Sequence, residues 1–493
     1  MTKTIFEKSI PGRIGFILPQ NDVDIKINDC IPEKYRRKNE IKLPELSELD
    51  VMRHYIELSS KNHFIEKGFY PLGSCTMKYN PKSHEAFVRS SCLMDLHPYQ
   101  PEETVQGALE ILYELQNDLA TIAGMKNTTL QPVAGAHGEF TGLKIIRAYH
   151  LAKGNAHKNE IILPDAAHGT NPASVALAGM KVVEIKSNEK GMVDLVALKA
   201  AINENTAGFM LTNPNTLGLF EPQIEQIAAA IHGVDGLMYM DGANMNPILG
   251  IVHPGKIGFD VMHYNLHKTM STPHGGGGPG SGAVSVVEKL EKFLPYPMVN
   301  KIDDKFTLDY SHKETSIGKI HSFYGNFAVN VRAWAYIKTL GGKGLRRAAE
   351  NSVINANYIM KKLEKVYHIP HNHTYCMHEF VATNEWQKQR CFENLGDKEK
   401  CNIKTLDIAK RLLDKGYHAP TIYFPLIVHE AMMIEPTETE SKQTLDEFIA
   451  TMIEINDECV NTPEVVLNAP TTTPIRRIDD VKAVKELNVR FVW

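Results

Sequence analysis

The chain has 493 residues, a formal net charge of −4, a hydrophobic fraction of 43% and a charged fraction of 23%. These values are typical of a soluble globular protein with two or three domains. They give no electrostatic reason to bind nucleic acid or an anionic membrane surface, so neither is expected as a partner.

The sequence shows no apolar run of membrane-spanning length and no secretory signal at its start. Its seven cysteines are widely spaced and none forms a CxxC pair. This pattern indicates neither a disulfide framework nor a zinc ribbon, and it favours a reducing, cytoplasmic location.

Residues 1–80 are predicted to form an N-terminal arm or accessory segment. Helical spacing of apolar residues in 43–64 gives way to the loop GFYPLGSCTMKYNPK (68–82), which is marked by glycine and proline. A second proline-marked loop, HPYQPEE (97–103), precedes a predicted helix that runs to Leu119. We expect a large domain over 81–330 and a small domain over 331–493.

Within 130–290, short apolar segments alternate with stretches long enough for a helix. The predicted strands are IILP (161–164), KVVEI (181–185), GFMLT (208–212), GLMYM (236–240), VMHYNL (261–266) and GAVSVV (282–287). This alternation indicates an α/β fold with a mostly parallel sheet. After 330, a long helix with a Gly-Gly break is predicted, followed by a smaller α+β unit. Ligands of parallel sheets bind at the loops that follow strand C-termini.

In two of these loops, the residues can be interpreted either as ligand contacts or as ordinary structural residues. In PVAGAHGEFTGLKIIRAYH (132–150), a glycine-rich turn enters a helix whose free N–H groups suit a phosphate, and His137 offers a flat ring for stacking. A capped helix with a surface histidine explains the same residues. In LTNPNTLG (211–218), Thr212 ends a predicted strand, but a plain Asn-Pro turn fits equally well.

Two further loops carry charged residues at strand ends. Asp241 ends an apolar strand in MYMDGANMNP (238–247), where a buried carboxylate is costly unless a cation meets it. Lys268 follows VMHYNL by two residues in HYNLHKTMSTPHGGGGPGSG (263–282), and a desolvated lysine is a Schiff-base nucleophile. The glycines at 275–278 would let the backbone approach a ligand closely.

Together these loops match the requirements of pyridoxal 5′-phosphate. The helix start would hold the phosphate, His137 would stack on the ring, Asp241 would face the ring nitrogen and Lys268 would form an imine with the aldehyde. An aminotransferase or a cysteine desulfurase would use the same lysine and aspartate. A non-catalytic scaffold also remains open, as does a zinc enzyme that uses His371, His373, Cys376 and His378.

Several motifs resemble the glycine cleavage system P-protein family of glycine dehydrogenases. They are HYNLHKTMSTPHGGGGPGSG, GFYPLGSCTMKYNPK, AGAHGEF, AHGTNPAS, DGANMN, SFYGNFAVNVRAWAYIKTLG and MIEPTETESK. They run from about residue 43 to the C-terminus. The chain resembles the second, lysine-bearing subunit of the split form of this family.

The resemblance implies a fold type I pyridoxal-phosphate transferase-like architecture, with the cofactor on Lys268. It implies that Asp241 pairs with the pyridine nitrogen and that Ala243 and His137 lie on opposite faces of the ring. The phosphate would lie at Gly135 and Ala136. Further cofactor contacts would come from Thr212 and His267.

The resemblance also implies the reaction and its partners. The reaction would be decarboxylation of glycine, with transfer of the aminomethyl group to the lipoyl arm of H-protein. A first subunit would complete the assembly, with two copies of each subunit. No metal is expected.

Overall fold

The computed structural model describes residues 2–20, 22–39, 41–274, 280–372 and 374–489. The chain divides into two compact units, Met1–Lys67 and Gly68–Trp493. The first unit contains helices α1 (Ile27–Cys30) and α2 (Glu48–Ser59), and α2 lies in the segment predicted to be helical. It begins at a capping box in which Ser47 and Asp50 bond each other's backbone N–H groups.

The second unit contains the remaining helices. They are α3 (Lys82–Val88), α4 (Ser91–Met94), α5 (Gln106–Ala123), α6 (Gly135–Ala152), α7 (Asn171–Leu177), α8 (Leu195–Ala201), α9 (Ile224–His232), α10 (Phe327–Leu363), α11 (Glu385–Leu395), α12 (Thr405–Asp414), α13 (Lys442–Asn461), α14 (Pro463–Leu467) and α15 (Asp480–Lys485). The expected break in the long helix is present, because Gly341 in α10 has φ 59° and ψ 178°. The domain boundary expected at 330 falls within this helix.

A seven-stranded sheet of described residues forms the centre of the large domain. Its strands are β1 (Asn127–Thr129), β2 (Glu160–Pro164), β3 (Lys181–Ile185), β4 (Thr206–Thr212), β5 (Leu237–Asp241), β6 (Val261–His263) and β7 (Val284–Val286). Their order is β1-β7-β6-β5-β4-β2-β3. The strands from β6 to β3 pair in parallel and β7 pairs antiparallel with both neighbours, so the predicted mostly parallel sheet is confirmed.

Both faces of this sheet are buried by helices. In β4, Phe209 and Leu211 pack with α5 and α9 on one side, whereas Met210 packs with α6 and α7 on the other. Successive strand side chains point to opposite faces, so a strand covered on both sides must be apolar throughout. This explains why the predicted strands were continuous apolar runs.

The strand predicted over 261–266 ends earlier than expected. β6 stops at His263, because the N–H of Asn265 turns to bond Ala243 (3.2 Å) and the N–H of Lys268 bonds Asn265 (2.9 Å). Lys268 therefore lies five residues beyond the strand, inside a tight turn, and not two residues beyond it.

The C-terminal part contains a hairpin and a second sheet. β8 (Met298–Ile302) pairs with β9 (Lys305–Asp309), and the second sheet has the order β10-β12-β11, with β10 (Phe380–Thr383), β11 (Thr421–Ile422) and β12 (Ala431–Ile434). The expectation of no disulfide is wrong for one pair, since Cys391 and Cys401 are bonded with Cα atoms 5.5 Å apart. Within the described residues, no helix is long and apolar enough to cross a lipid bilayer.

Candidate active site

Lys268 and Asp241 border the same buried cavity. β5 ends at Asp241 and its parallel neighbour β6 ends at His263, so the C-termini of both strands open on one edge of the sheet. Lys268 and Asp241 are 8% and 2% exposed. The cavity is lined by Ser74, His168, Thr212, Pro214, Thr216, Asp241, Ala243, Asn244, Lys268, His378 and Glu379. Four residues predicted for the site, Lys268, Asp241, Thr212 and Ala243, are thus brought together.

Asp241 is held as an anion. Its Oδ2 accepts a hydrogen bond from Asn171 Nδ2 at 2.9 Å, and its Oδ1 accepts one from the N–H of Ala243 at 3.0 Å. Burial works against ionisation of this carboxyl, but the nearby imidazoles of His263 and His168 and the Asn171 hydrogen bond outweigh it and lower its pKa. A cation or a protonated ring nitrogen is the ligand that such a buried carboxylate favours.

Behind Asp241 lies a polar chain that leads into helix α6. His263 Nε2 lies 3.4 Å from Asp241 Oδ1 and makes no hydrogen bond within the described residues. On its other side, His263 Nδ1 is 2.9 Å from the Tyr239 hydroxyl, which itself lies 3.2 Å from the carbonyl oxygen of Gly138. All of these side chains are buried, so the aspartate has a fixed orientation.

Lys268 contacts the loop that precedes α3. Its Nζ donates to the carbonyl oxygen of Ser74 at 2.7 Å. Ser74 and Thr76 have φ of 65° and 50°, which is the left-handed region that non-glycine residues rarely adopt. Such strained backbone is concentrated at functional sites. The loop 68–82, which the sequence marks with glycine and proline, therefore forms one wall of the cavity.

The start of α6 lies against the turn that carries Lys268. A Cβ added to Gly135 would lie 2.7 Å from Asn265 Nδ2, so this close approach requires glycine. The first N–H groups of a helix have no acceptors within it, and the N-cap residue Ala134 has no side chain to supply one. Gly135 and Ala136 therefore lie at an uncapped helix N-terminus that suits a phosphate.

Of the histidines near the site, the two that were predicted from the sequence, His137 and His267, are not among the residues that line the cavity. The Nδ1 of His137 accepts from the N–H of Val133 at 3.3 Å. His168, four residues after the end of β2, lines the cavity beside Asp241. His267 also lies outside the cavity lining, where burial lowers its pKa to about 3 and the N–H of Ser281 bonds its Nδ1. The hypothesis about glycines 275–278 lies outside the described residues.

Sequence reasoning missed two carboxylates from the small domain, Glu379 and Glu435. Glu379 lines the cavity, and Glu435 lies beside it. Of the residues considered for zinc, His373 lies outside the described residues. Among the described ones only His378 joins a cluster, and its neighbours there are these two glutamates. Burial raises the pKa of the Cys75 thiol.

The residues present fit pyridoxal phosphate. They supply a buried amine, an ionised carboxylate and an uncapped helix start, and Ala243 is small enough to lie under a planar ring. Asn265 Oδ1 is buried beside the helix start and has no partner within the described residues. Such unpartnered buried groups indicate a site shaped for a ligand.

Comparison with known proteins agrees with this arrangement. The family described as glycine dehydrogenase, C-terminal domain, matches residues 348–473, and aminotransferase class-V matches residues 141–381. The chain is 53% identical over 488 residues to a probable glycine dehydrogenase (decarboxylating) subunit 2 of Listeria welshimeri, covering 99% of this chain and 97% of that protein.

Two solved structures share the fold. One is a glycine decarboxylase (P-protein) of the glycine cleavage system in inhibitor-bound form, with TM-score 0.70, 19% identity and coverage of 87% of this chain and 94% of that chain. The other is a glutamate decarboxylase of Lactobacillus brevis, with TM-score 0.64, 12% identity and coverage of 87% and 97%. The expected fold type I architecture is confirmed.

Proposed function

The chain belongs to the glycine dehydrogenase (decarboxylating) subunit 2 family, and from this premise we propose that it is a pyridoxal-phosphate enzyme that decarboxylates glycine in the glycine cleavage system. The observation that carries the proposal is the single buried cavity bordered by Lys268 and Asp241. A lysine amine and an ionised carboxylate bordering one cavity are the two groups that this cofactor requires.

Each residue of the cavity has a distinct task in this proposal. Lys268 Nζ holds the cofactor covalently, and the start of α6 at Gly135 and Ala136 binds its phosphate. The carboxylate of Asp241 keeps a proton on the ring nitrogen. When bound, pyridoxal phosphate supplies the electron sink for the pair released as the bond between Cα and the carboxylate breaks.

The two faces of the ring are assigned to different side chains. Ala243 would lie under one face, and we propose His168, in place of His137, for the other face. Thr212, at the end of β4, also lines the cavity and offers a hydroxyl. A buried and pre-oriented set of dipoles stabilises developing charge more strongly than water does.

The family name implies a partner first subunit. We further propose that two copies of each subunit assemble in the cytoplasm, and that the aminomethyl acceptor is the lipoyl arm of H-protein. The small-domain side of the cavity, which contains His378 and Glu379, is available to discriminate substrates.

Glycine-dependent exchange of labelled bicarbonate tests this function. The chain is combined with its first subunit and lipoylated H-protein, and incorporation of label into the glycine carboxyl group is measured. Exchange with glycine and none with alanine is the expected result. Transfer of the amino group to a 2-oxo acid without exchange would instead identify an aminotransferase.

A further inference from the structure

Two buried glutamates adjoin the cavity, and neither has a proton-transfer role in the mechanism above. Glu379 immediately precedes β10, and Glu435 immediately follows β12. These strands pair antiparallel with Phe380 opposite Ile434, so both carboxylates leave the sheet at the same end. They are 4% and 0% exposed. One oxygen of each and a ring nitrogen of His378 all lie within 4.8 Å of one another.

The hydrogen bonds to the two carboxylates are unequal. Glu435 accepts three, from the N–H of Thr76 (3.0 Å), the Thr76 hydroxyl (2.7 Å) and Asn244 Nδ2 (2.8 Å). Glu379 Oε2 accepts one, from the N–H of Ser74 (2.7 Å), and its Oε1 receives none within the described part of the chain. Hydrogen bonds to a carboxylate favour its charged form. Glu435 is therefore the anion of the pair, and Glu379 the acid.

Electrostatics support the same division. Two carboxylates this close in a buried site do not both ionise, and they titrate as a pair. Burial and the neighbouring Glu435 raise the pKa of Glu379 well above its ordinary value. Burial also raises the pKa of Glu435, but its Thr76 and Asn244 donors oppose this effect.

Among the described residues, four other titratable groups face Glu379 and Glu435. Three of them are neutral, and the fourth is the amine of Lys268. Burial lowers the pKa of His378 to about 3 and that of His274 to about 4, so both imidazoles are uncharged at neutral pH. Burial raises the pKa of the Cys75 thiol. The remaining neighbour is Lys268, which lies across the cavity from Glu379.

A metal ion fits these three side chains less well than a proton does. Both oxygens of Glu435 already accept hydrogen bonds. A lysine amine also faces the cluster, and a cationic amine opposes a second cation. A single proton satisfies Glu379 without displacing any of these contacts.

We propose that Glu379 and Glu435 share one proton, held on Glu379, and that the pair removes the ammonium proton of glycine as it enters the cavity. In this step an N–H bond of the ammonium breaks and an O–H bond forms on Glu379, which lines the cavity, while the proton that Glu379 held passes to the ionised Glu435. The electron pair left on nitrogen makes the amine a nucleophile. The pair then holds two protons and returns one to Lys268 Nζ. This inference rests on the proposed function.

Ser74 connects the pair to the lysine. Its carbonyl oxygen accepts from Lys268 Nζ and its N–H donates to Glu379, so one residue fixes both groups. The left-handed backbone at Ser74 and Thr76 turns both N–H groups toward the two carboxylates. The strained loop is thus the part that holds the pair against the reacting amine.

Infrared spectroscopy of the chain without cofactor tests the shared proton. At pH 7.5 the wild type is expected to show the band of a neutral carboxylic acid, and Glu379→Gln is expected to lose it. In Glu435→Gln the band is expected to vanish at a lower pH than in the wild type. Glu221→Gln removes a buried carboxylate outside the cavity and keeps the wild-type band. Absence of the band in the wild type, or its persistence in Glu379→Gln, overturns the proposal.

Rapid mixing with glycine tests the proton transfer. In the loaded enzyme, Glu379→Gln is expected to slow the glycine-dependent absorbance change about 100-fold or more, since proton transfer by a placed side chain contributes ~10²–10⁴-fold. Borohydride fixation of the cofactor to Lys268 stays at the wild-type level in this variant. A wild-type rate in Glu379→Gln overturns the transfer. Failure of fixation in the wild type would refute the proposed function instead, while leaving the infrared result interpretable.

Discussion

Gly218→Ala tests how the small-domain strand is held against the cavity. Gly218 has a φ of +76°, and a Cβ added to it would lie 1.8 Å from the carbonyl oxygen of Glu379. Its own carbonyl oxygen accepts a hydrogen bond from the N–H of Met377 at 2.7 Å. An alanine here therefore introduces backbone strain and a clash with a main-chain atom that cannot rotate away.

The two costs can be estimated separately. The left-handed conformation costs a residue with a Cβ ~1–2 kcal/mol. Overpacking a tight site costs a further ~1–3 kcal/mol. Gly218→Ala should thus lower the free energy of unfolding by about 2–5 kcal/mol. Gly416→Ala is the matched control: its φ is +85° but no atom lies within 4 Å of the added Cβ. It should cost only about 1–2 kcal/mol.

Urea unfolding followed by tryptophan fluorescence measures both values. The clash moves the backbone of Glu379, so Gly218→Ala should also slow glycine-dependent bicarbonate exchange, whereas Gly416→Ala should not. Equal destabilisation by the two alanines, or an unchanged exchange rate in Gly218→Ala, would refute the reasoning about this contact.

Three further substitutions test other parts of the account. Asp241→Asn should lower the exchange rate ~10²–10³-fold, because an amide carries no charge to hold a proton on the ring nitrogen, while Asp260→Asn should keep the rate of the folded fraction. Lys78→Met should cost about 3–5 kcal/mol in urea unfolding, since it leaves the buried carboxylate of Glu438 unpaired, and Glu438→Leu added to it should recover part of that loss. Glu379→Gln should become increasingly more stable than wild type as pH rises above ~4.5, by up to about 1.4 kcal/mol per pH unit.

The sign of the last effect follows from the raised pKa of Glu379 in the folded state. The contribution of Glu379 to the free energy of unfolding is fully present below its unfolded pKa of about 4.3. It is lost as pH rises toward the pKa of Glu379 in the folded state. Glutamine does not ionise, so the variant escapes this loss. Melting temperatures at pH 5 and pH 8 measure it, and a pH-independent difference between the two proteins would contradict it.

The predictions for Asp241→Asn and Lys78→Met also have results that would contradict them. Wild-type exchange in Asp241→Asn would remove the aspartate from the chemistry. For the ion pair, Lys78 donates to Glu438 at 2.7 Å, and both side chains are at most 9% exposed. If Lys78→Met were no more destabilising than the double substitution, the unpaired Glu438 carboxylate would not be the source of the cost.

The sequence predicted the large sheet well because its signals are local. The central strands β2, β4 and β5 were continuous apolar runs, and their burial on both faces explains that pattern. Asp241 and Lys268 were expected to meet because the ends of parallel strands share one edge of a sheet. The sequence prediction extended β6 too far. Tyr264 and Leu266 are buried like strand residues, although the strand pairing ends at His263.

The parts that sequence reasoning missed depend on contacts between distant residues. Ser74 meets Lys268 across 194 positions and Glu379 across 305 positions. No periodicity or spacing encodes such pairings. His168 carried a readable signal, since it lies in the loop that follows a predicted strand, whereas His137 was favoured for its place in a glycine-rich turn. The bond between Cys391 and Cys401 had no motif at all.

Borohydride reduction of the loaded enzyme, followed by peptide mass mapping, tests the central claim most directly. The account predicts that the pyridoxyl group is found on the peptide containing Lys268, and that Lys268→Ala carries none. Attachment to another lysine, or no attachment in the wild type, would contradict it.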